Sequence, residues 1–195
     1  MRISHIVRNT RETAIELTLN IDGEGKRSIN TDCGFFNHML ELFAAHSRFD
    51  IDVTCKGDSH VDYHHTVEDV GIVLGQALKN ALGDKRSINR YGSFLLPMDE
   101  ALVMVALDIS ARPYLDYGLD LDERVVGDFD AELGEEFFAA FTREAGLTLH
   151  IRQLAGRNTH HLLEAAFKGV ARALKEAVAI DEKLNGELPS TKGVL

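Results

Sequence analysis

The chain has 195 residues and a formal charge of −10, with 21 Lys+Arg against 31 Asp+Glu, a balance that disfavours nucleic acid or an anionic membrane as partner because both need a basic footprint. At 45% hydrophobic and 27% charged, with only 3 Pro, the composition is that of a compact folded chain rather than a disordered one. No apolar run reaches the ~18 to 20 residues of a membrane helix, and residues 1–12 lack the apolar stretch of a secretory leader, so a cytoplasmic location is expected.

Along the chain, Ile15, Leu17, Leu19 and Ile21 alternate with Glu16, Thr18 and Asn20, the period of a half-buried strand, which turns at Gly23 or Gly25. Phe36-Asn37-His38-Met39-Leu40 opens a helical pattern that stops before a strand-like stretch, Phe49 to Val53. Cys33 and Cys55 are too few for a disulfide scaffold and too isolated for a thiolate metal cluster, and both are read as reduced. Val67, Val70, Leu74, Leu78 and Ala81 then share one face of a long helix, with Asp62 as its N-cap candidate. Ala101 to Asp108 is more continuously apolar than the first strand and is expected to be more deeply buried. Gly118 to Gly134 is dense in Asp and Glu and reads as a solvated loop without an assigned role. A helix from Glu136-Phe137-Phe138, a strand from Leu147 to Ile151, and a last long helix carrying Leu163, Ala166, Val170, Leu174 and Ala177 behind the cap candidate Asn158 complete the pattern.

This order repeats. His64-His65-Thr66-Val67-Glu68 returns 96 positions later as His160-His161-Leu162-Leu163-Glu164. His38 precedes Ile51 by 13 positions and Glu136 precedes Leu149 by the same 13, so His38 and Glu136 correspond when the halves are aligned on their strands. The predicted fold is therefore α+β, with two similar internally duplicated halves, each a mostly antiparallel sheet with helices packed on one side. The half-repeats cover about 1–92 and 93–195. Each is small for an independent core and no Pro/Gly/Ser-rich linker separates them, so residues 1–195 are read as a single pseudo-symmetric domain.

The chemistry points to the repeated histidines. On a helix Glu68 shares a face with His64 (i, i+4) or His65 (i, i+3), whereas the adjacent histidines diverge by about 100° and do not readily grip one ion together. Two metals are expected, with each motif giving one imidazole to each ion if the two copies come face to face. The positive end of the helix dipole favours the neutral imidazole that a metal requires. Imidazole and carboxylate without thiolate suit Mn, Fe, Ni or Zn. The order HHxxE is neither the HExxH of zinc peptidases nor the ExxH of di-iron bundles.

Arg11-Glu12-Thr13, Gly34-Phe35-Phe36-Asn37-His38-Met39-Leu40, Asp62-Tyr63-His64-His65-Thr66-Val67-Glu68-Asp69, Asn158-Thr159-His160-His161-Leu162-Leu163-Glu164 and Pro189-Ser190-Thr191-Lys192-Gly193 resemble the imidazoleglycerol-phosphate dehydratase family of histidine biosynthesis, over about residues 2 to 195. The resemblance implies trimers assembled into a homo-oligomeric particle of 24 subunits, with two Mn²⁺ per active site at subunit interfaces. It implies His38, His64, His65, Glu68, Glu136, His160, His161 and Glu164 as metal ligands; Glu136 is a departure, since the family often has His there, but a carboxylate also binds Mn²⁺. His46, Arg90, Arg112, Lys168, Ser190 and Lys192 fall on substrate-binding positions, most of them phosphate contacts, and Glu12 on a substrate contact. The reaction so implied is dehydration of D-erythro-imidazoleglycerol phosphate to imidazole-acetol phosphate, with the metal-held ring as electron source and Glu12 as base. Taken alone, a dinuclear His/Glu site and a phosphate-binding tail would also suit a metal-dependent hydrolase, or a metal-storage particle with no turnover.

Overall fold

The computed structural model describes all 195 residues, Met1–Leu195. The first half contains β1 (Ile3–Asn9), β2 (Thr13–Asn20), β3 (Arg27–Asn30), α1 (Gly34–Ser47), β4 (Asp50–Gly57) and α2 (His64–Leu82). The second contains β5 (Tyr91–Met98), β6 (Ala101–Asp108), β7 (Tyr114–Gly118), a short hairpin of β8 (Val125–Val126) and β9 (Phe129–Asp130), α3 (Leu133–Ala145), β10 (Thr148–Ala155) and α4 (Thr159–Ala177). Two four-stranded sheets form in matching order, β1-β2-β4-β3 and β5-β6-β10-β7. In each the first three strands pair antiparallel, and β3 or β7 joins the far edge parallel to β4 or β10. A parallel pair needs a crossover, and α1 and α3 supply it. The architecture is the duplicated α+β arrangement that the repeat predicts.

Period-2 patterning sets the buried face of each sheet: Ile15, Leu17 and Leu19 are buried while Glu16 is exposed. Helix packing then crosses the halves. α2 lies on its own sheet and pairs with α3, whereas α4 lies on the second sheet and pairs with α1. Two glycines bring α3 close, because a Cβ at Gly71 or Gly75 would stand 2.8 or 2.6 Å from the carbonyl oxygen of Phe137 or Phe141. One core of 50 buried residues draws on both halves. At its centre Phe137 stacks on Phe167 at 5.1 Å between ring centroids, and Phe43 meets Phe141 edge-on at 6.1 Å.

Two expectations need correction. The inward residues of β6, Ala101, Val103, Val105 and Leu107, are buried as expected, but Met104 on its other face is 38% exposed. It sits with Leu102 of β6 and Leu95 of β5 (53% exposed) on an uncovered apolar surface. Continuous apolarity here marks two apolar faces rather than deeper burial. The equivalent face of the first sheet carries Glu16, Thr18, Asp52 and Thr54.

The acidic segment 118–134 is also not a plain solvated loop. Phe129 is fully buried, 5.2 Å from the ring of Phe35 and stacked on Phe36. The Asp128 carboxylate accepts the backbone N–H groups of Gly34 (3.2 Å) and Phe35 (3.4 Å), donors left free because the α1 N-cap residue, Cys33, makes no side-chain cap bond. A residue of the second half thus caps the helix that carries His38. Asn158 caps α4 as expected, accepting from the His161 N–H at 3.1 Å; Asp62 accepts from the His64 N–H at 2.8 Å, one residue ahead of the α2 cap position. No helix is long and apolar enough to cross a membrane.

Candidate active site and metal centre

The adjacent histidines diverge as helical geometry requires: the His160 and His161 rings lie 81° apart and the His64 and His65 rings 88° apart. His160 therefore faces α1. Its Nε2 is 3.2 Å from Glu164 Oε2, one helical turn on, and His38 Nε2 of α1 is 3.6 Å from the same oxygen. One ligand atom each from His38, His160 and Glu164 lies within 4.8 Å of the others. The Phe35 ring meets His160 edge-on at 5.1 Å and lines the apolar side.

Glu164 is only 9% exposed, and its second oxygen binds the Lys168 ammonium. Burial pushes its carboxyl up, but Lys168, His160 and His38 outweigh that and hold it below its ordinary value, so the group is an anion. Two imidazoles and a buried carboxylate suit a divalent cation with mixed nitrogen and oxygen coordination. The thiols do not compete, because burial pushes Cys33 up to about 11 and Cys55 up to about 12.

The first motif does not join this triad within the protomer, because α2 packs against α3 rather than against α4. Glu136 begins α3 as His38 begins α1, yet His64, Glu68 and Glu136 close no triad. His64 Nε2 is 4.0 Å from Glu68, whose other oxygen faces Arg143 at 3.7 Å. The expected face-to-face meeting of the two motifs is thus absent from the single chain. His65 and His161 turn outward, toward carboxylates. His65 Nδ1 is 3.0 Å from Asp58 and its Nε2 is 3.8 Å from Glu12; His161 Nδ1 is 2.7 Å from Glu100. The His161 bond, helped by the Asn158 N–H, holds the Glu100 carboxyl down at about 2.

Glu12 occupies the β1–β2 turn. Asp69, next to Glu68 on α2, fixes that hairpin by accepting from Arg8 Nη1 (2.9 Å) and Thr13 Oγ1 (2.5 Å). Further along the α1–α4 groove, burial and then the charges of Arg172 and Lys168 lower the affinity of His46 for a proton. Arg172, over the Phe94 ring at 5.7 Å, continues the i, i+4 row His160, Glu164, Lys168 and was not singled out from the sequence.

The other expected substrate contacts gather at the C-terminal tail. Arg90 donates to both Asp108 oxygens (2.7 and 3.0 Å) and to the Pro189 carbonyl at 2.8 Å, so it anchors the tail and is not an open cation. Arg112 is exposed and 3.8 Å from Asp108. Ser190 Oγ donates to the Val194 carbonyl at 2.8 Å, and Lys192 is exposed. His150, on β10, bonds Asp116 at 3.1 Å.

Fold and side chains define the class as an internally duplicated α+β protein with an imidazole–carboxylate centre between α1 and α4. The family model for imidazoleglycerol-phosphate dehydratase matches residues 31–174. The imidazoleglycerol-phosphate dehydratase of Azorhizobium caulinodans is 57% identical over 195 residues, covering 100% of this chain and 99% of that one; the enzyme of Acetivibrio thermocellus is 57% identical over 190 residues, 97% of each. The crystal structure of the Staphylococcus aureus enzyme has a TM-score of 0.84 at 42% identity, covering 92% of this chain and 99% of that one. The Pyrococcus furiosus enzyme in complex with (S)-C348 also gives 0.84, at 37% identity over 97% and 100%. The chain belongs to the imidazoleglycerol-phosphate dehydratase family: it is a dehydratase of histidine biosynthesis.

Proposed function

We propose that the chain removes water from D-erythro-imidazoleglycerol phosphate to give imidazole-acetol phosphate, in a metal-dependent reaction in the cytoplasm. The observation that carries the metal dependence is the convergence of His38, His160 and Glu164. With His64, His65, Glu68, Glu136 and His161 they would hold two Mn²⁺ per active site, and Mn²⁺ supplies Lewis acidity toward the imidazole ring of the substrate. Glu12 takes the proton from the hydroxyl-bearing carbon next to the one attached to the ring. The C–H electrons form the double bond as the ring-adjacent carbon loses its hydroxyl, the proton and the hydroxide together make up the water released, and the enol left by the remaining hydroxyl becomes the ketone. Lys168, His46 and the tail residues Ser190 and Lys192 bind the phosphate with Arg112, while Arg90 holds the tail in reach.

The ligand sets are completed by neighbouring copies in a homo-oligomer of 24 subunits built from trimers. Two observations support an oligomer: one protomer closes a single three-residue cluster, and the second sheet leaves Leu95, Leu102 and Met104 on an uncovered apolar face. Free, buried Cys33 and Cys55 accord with a reducing compartment.

The test joins elemental analysis of the purified chain to a product assay. Bound Mn²⁺ with formation of the keto product is expected. Inorganic phosphate as product would point to a hydrolase, and tight metal without turnover to storage. Glu12→Gln should abolish turnover while Mn²⁺ stays bound; an unchanged kcat removes Glu12 from the mechanism.

A further inference from the structure

The two halves place a glutamate at the same point of their first hairpins. Glu12 immediately precedes β2 and Glu100 immediately precedes β6, the equivalent strand. The two do different work. Glu100 Oε2 takes the Nδ1 of His161 at 2.7 Å while Oε1 accepts the N–H groups of Asn158 (3.0 Å) and Arg157 (3.4 Å) at the start of α4. In the first half the Nδ1 of His65 is held by a residue with no counterpart in that hairpin, Asp58 from the β4–α2 loop, at 3.1 and 3.0 Å. Glu12 lies beyond the opposite ring nitrogen, 3.8 Å from Nε2. An imidazole that donates Nδ1–H to a carboxylate keeps its Nε2 lone pair free, and such partners orient metal-binding histidines.

We infer that Asp58 and Glu100 are positioning residues. Each accepts the Nδ1–H of a motif histidine, His65 or His161, and so fixes the tautomer whose Nε2 can bind a divalent cation. Because Asp58 takes this task in the first half, the Glu12 carboxylate is left free for proton transfer. The inference rests on reading His65 and His161 as ligands, so its test begins without metal.

Neutron diffraction from crystals of the metal-free full-length protein, grown at a pH of about 8.5 so that imidazoles are neutral, locates the proton on each ring. Nδ1–H is expected on both. Asp58→Ala and Glu100→Ala should each release the proton position on their own histidine only. Mn²⁺ affinity, read from the free Mn²⁺ signal in electron paramagnetic resonance, should fall 10- to 100-fold. Asp58→Asn keeps an acceptor for Nδ1–H, because both Asp58 oxygens face that nitrogen, and should retain the tautomer with an intermediate loss of affinity. Glu12→Gln should change neither readout. Rings that keep Nδ1–H without their carboxylates overturn the positioning role itself. A changed tautomer with Mn²⁺ affinity within twofold of the parent overturns the ligand reading beneath it, and a shifted His65 proton in Glu12→Gln overturns the division of labour between the two turns.

Discussion

The α1–α4 groove and the α2–α3 groove are the same scaffold used twice, and their side chains have parted. His64, Glu68, Ile72 and Gln76 of α2 correspond, at an offset of 96, to His160, Glu164, Lys168 and Arg172 of α4; Glu136 and Glu144 of α3 correspond, at an offset of 98, to His38 and His46 of α1. In the α1–α4 groove the triad closes and Glu164 is 9% exposed, whereas Glu68 in the other is 36% exposed. Beyond the triad one groove carries His46, Lys168 and Arg172. The other carries Ile72 and a Gln76 amide that donates to Glu144 at 3.0 Å. Lys168 and Arg172 against Glu164 leave the first row more positive than the second, where Glu68 and Glu144 face Arg143. Duplication supplied two equivalent grooves, and three side-chain positions set the difference in charge between them.

The most severe way to break that comparison is to remove the triad carboxylate. Glu164→Ala should weaken Mn²⁺ binding by more than the 10- to 100-fold typical of outer-shell partners. It also strands Lys168, 16% exposed, without its anion, at a cost of about 3 kcal/mol in a urea melt. Glu68→Ala loses a contact to the half-exposed Arg143, worth under about 1 kcal/mol. Equal stability losses in the two variants would mean that the grooves do not differ as described.

A smaller effect follows from exchanging one residue between the rows. Arg172→Gln installs the residue that stands at position 76 and removes a positive charge near His46, expected to weaken the attraction of the substrate phosphate by about 1.5 kcal/mol. KM for the phosphorylated substrate should rise roughly tenfold with kcat little changed, the signature of lost uniform binding. Gln76→Arg should leave KM where it is. Steady-state kinetics on both variants settles whether the cationic row acts on the substrate, and a kcat loss in Arg172→Gln would place it elsewhere in the reaction.

How much of this was legible beforehand follows the range of the interactions. The four helices and the strands β2, β4, β6 and β10 showed themselves through local periodicity, and the correspondence of His38 with Glu136 through equal spacing; the edge strands β1, β3, β5 and β7 and the β8–β9 hairpin carried no such pattern. The pairing of α1 with α4 was not legible: it depends on glycine contacts between α2 and α3 and on a shared aromatic core, neither of which leaves a local pattern. For the same reason the Asp128 cap, 94 positions from Gly34, was hidden in a segment whose composition suggested only solvent. Glu100 escaped notice because it pairs with a histidine 61 positions away.

The mildest difference between the grooves concerns their thiols, Cys33 at the start of α1 and Cys55 on β4, next to α2. Burial raises both above the ordinary 9.0, Cys33 to about 11 and Cys55 to about 12. A raised value favours the protonated thiol in the folded state, so their contribution to stability is complete below pH 9 and is lost as the pH climbs through the folded-state values. Urea melts should therefore be flat with respect to these groups at pH 7 to 9, then weaken as the pH rises beyond 9. Cys33→Ser should remove a loss that runs from pH 9 to about 11 and Cys55→Ser one that runs from pH 9 to about 12. If both native thiols react with iodoacetamide at pH 8 as fast as free cysteine, neither is shielded, and the burial assigned to Cys33 and Cys55 is wrong.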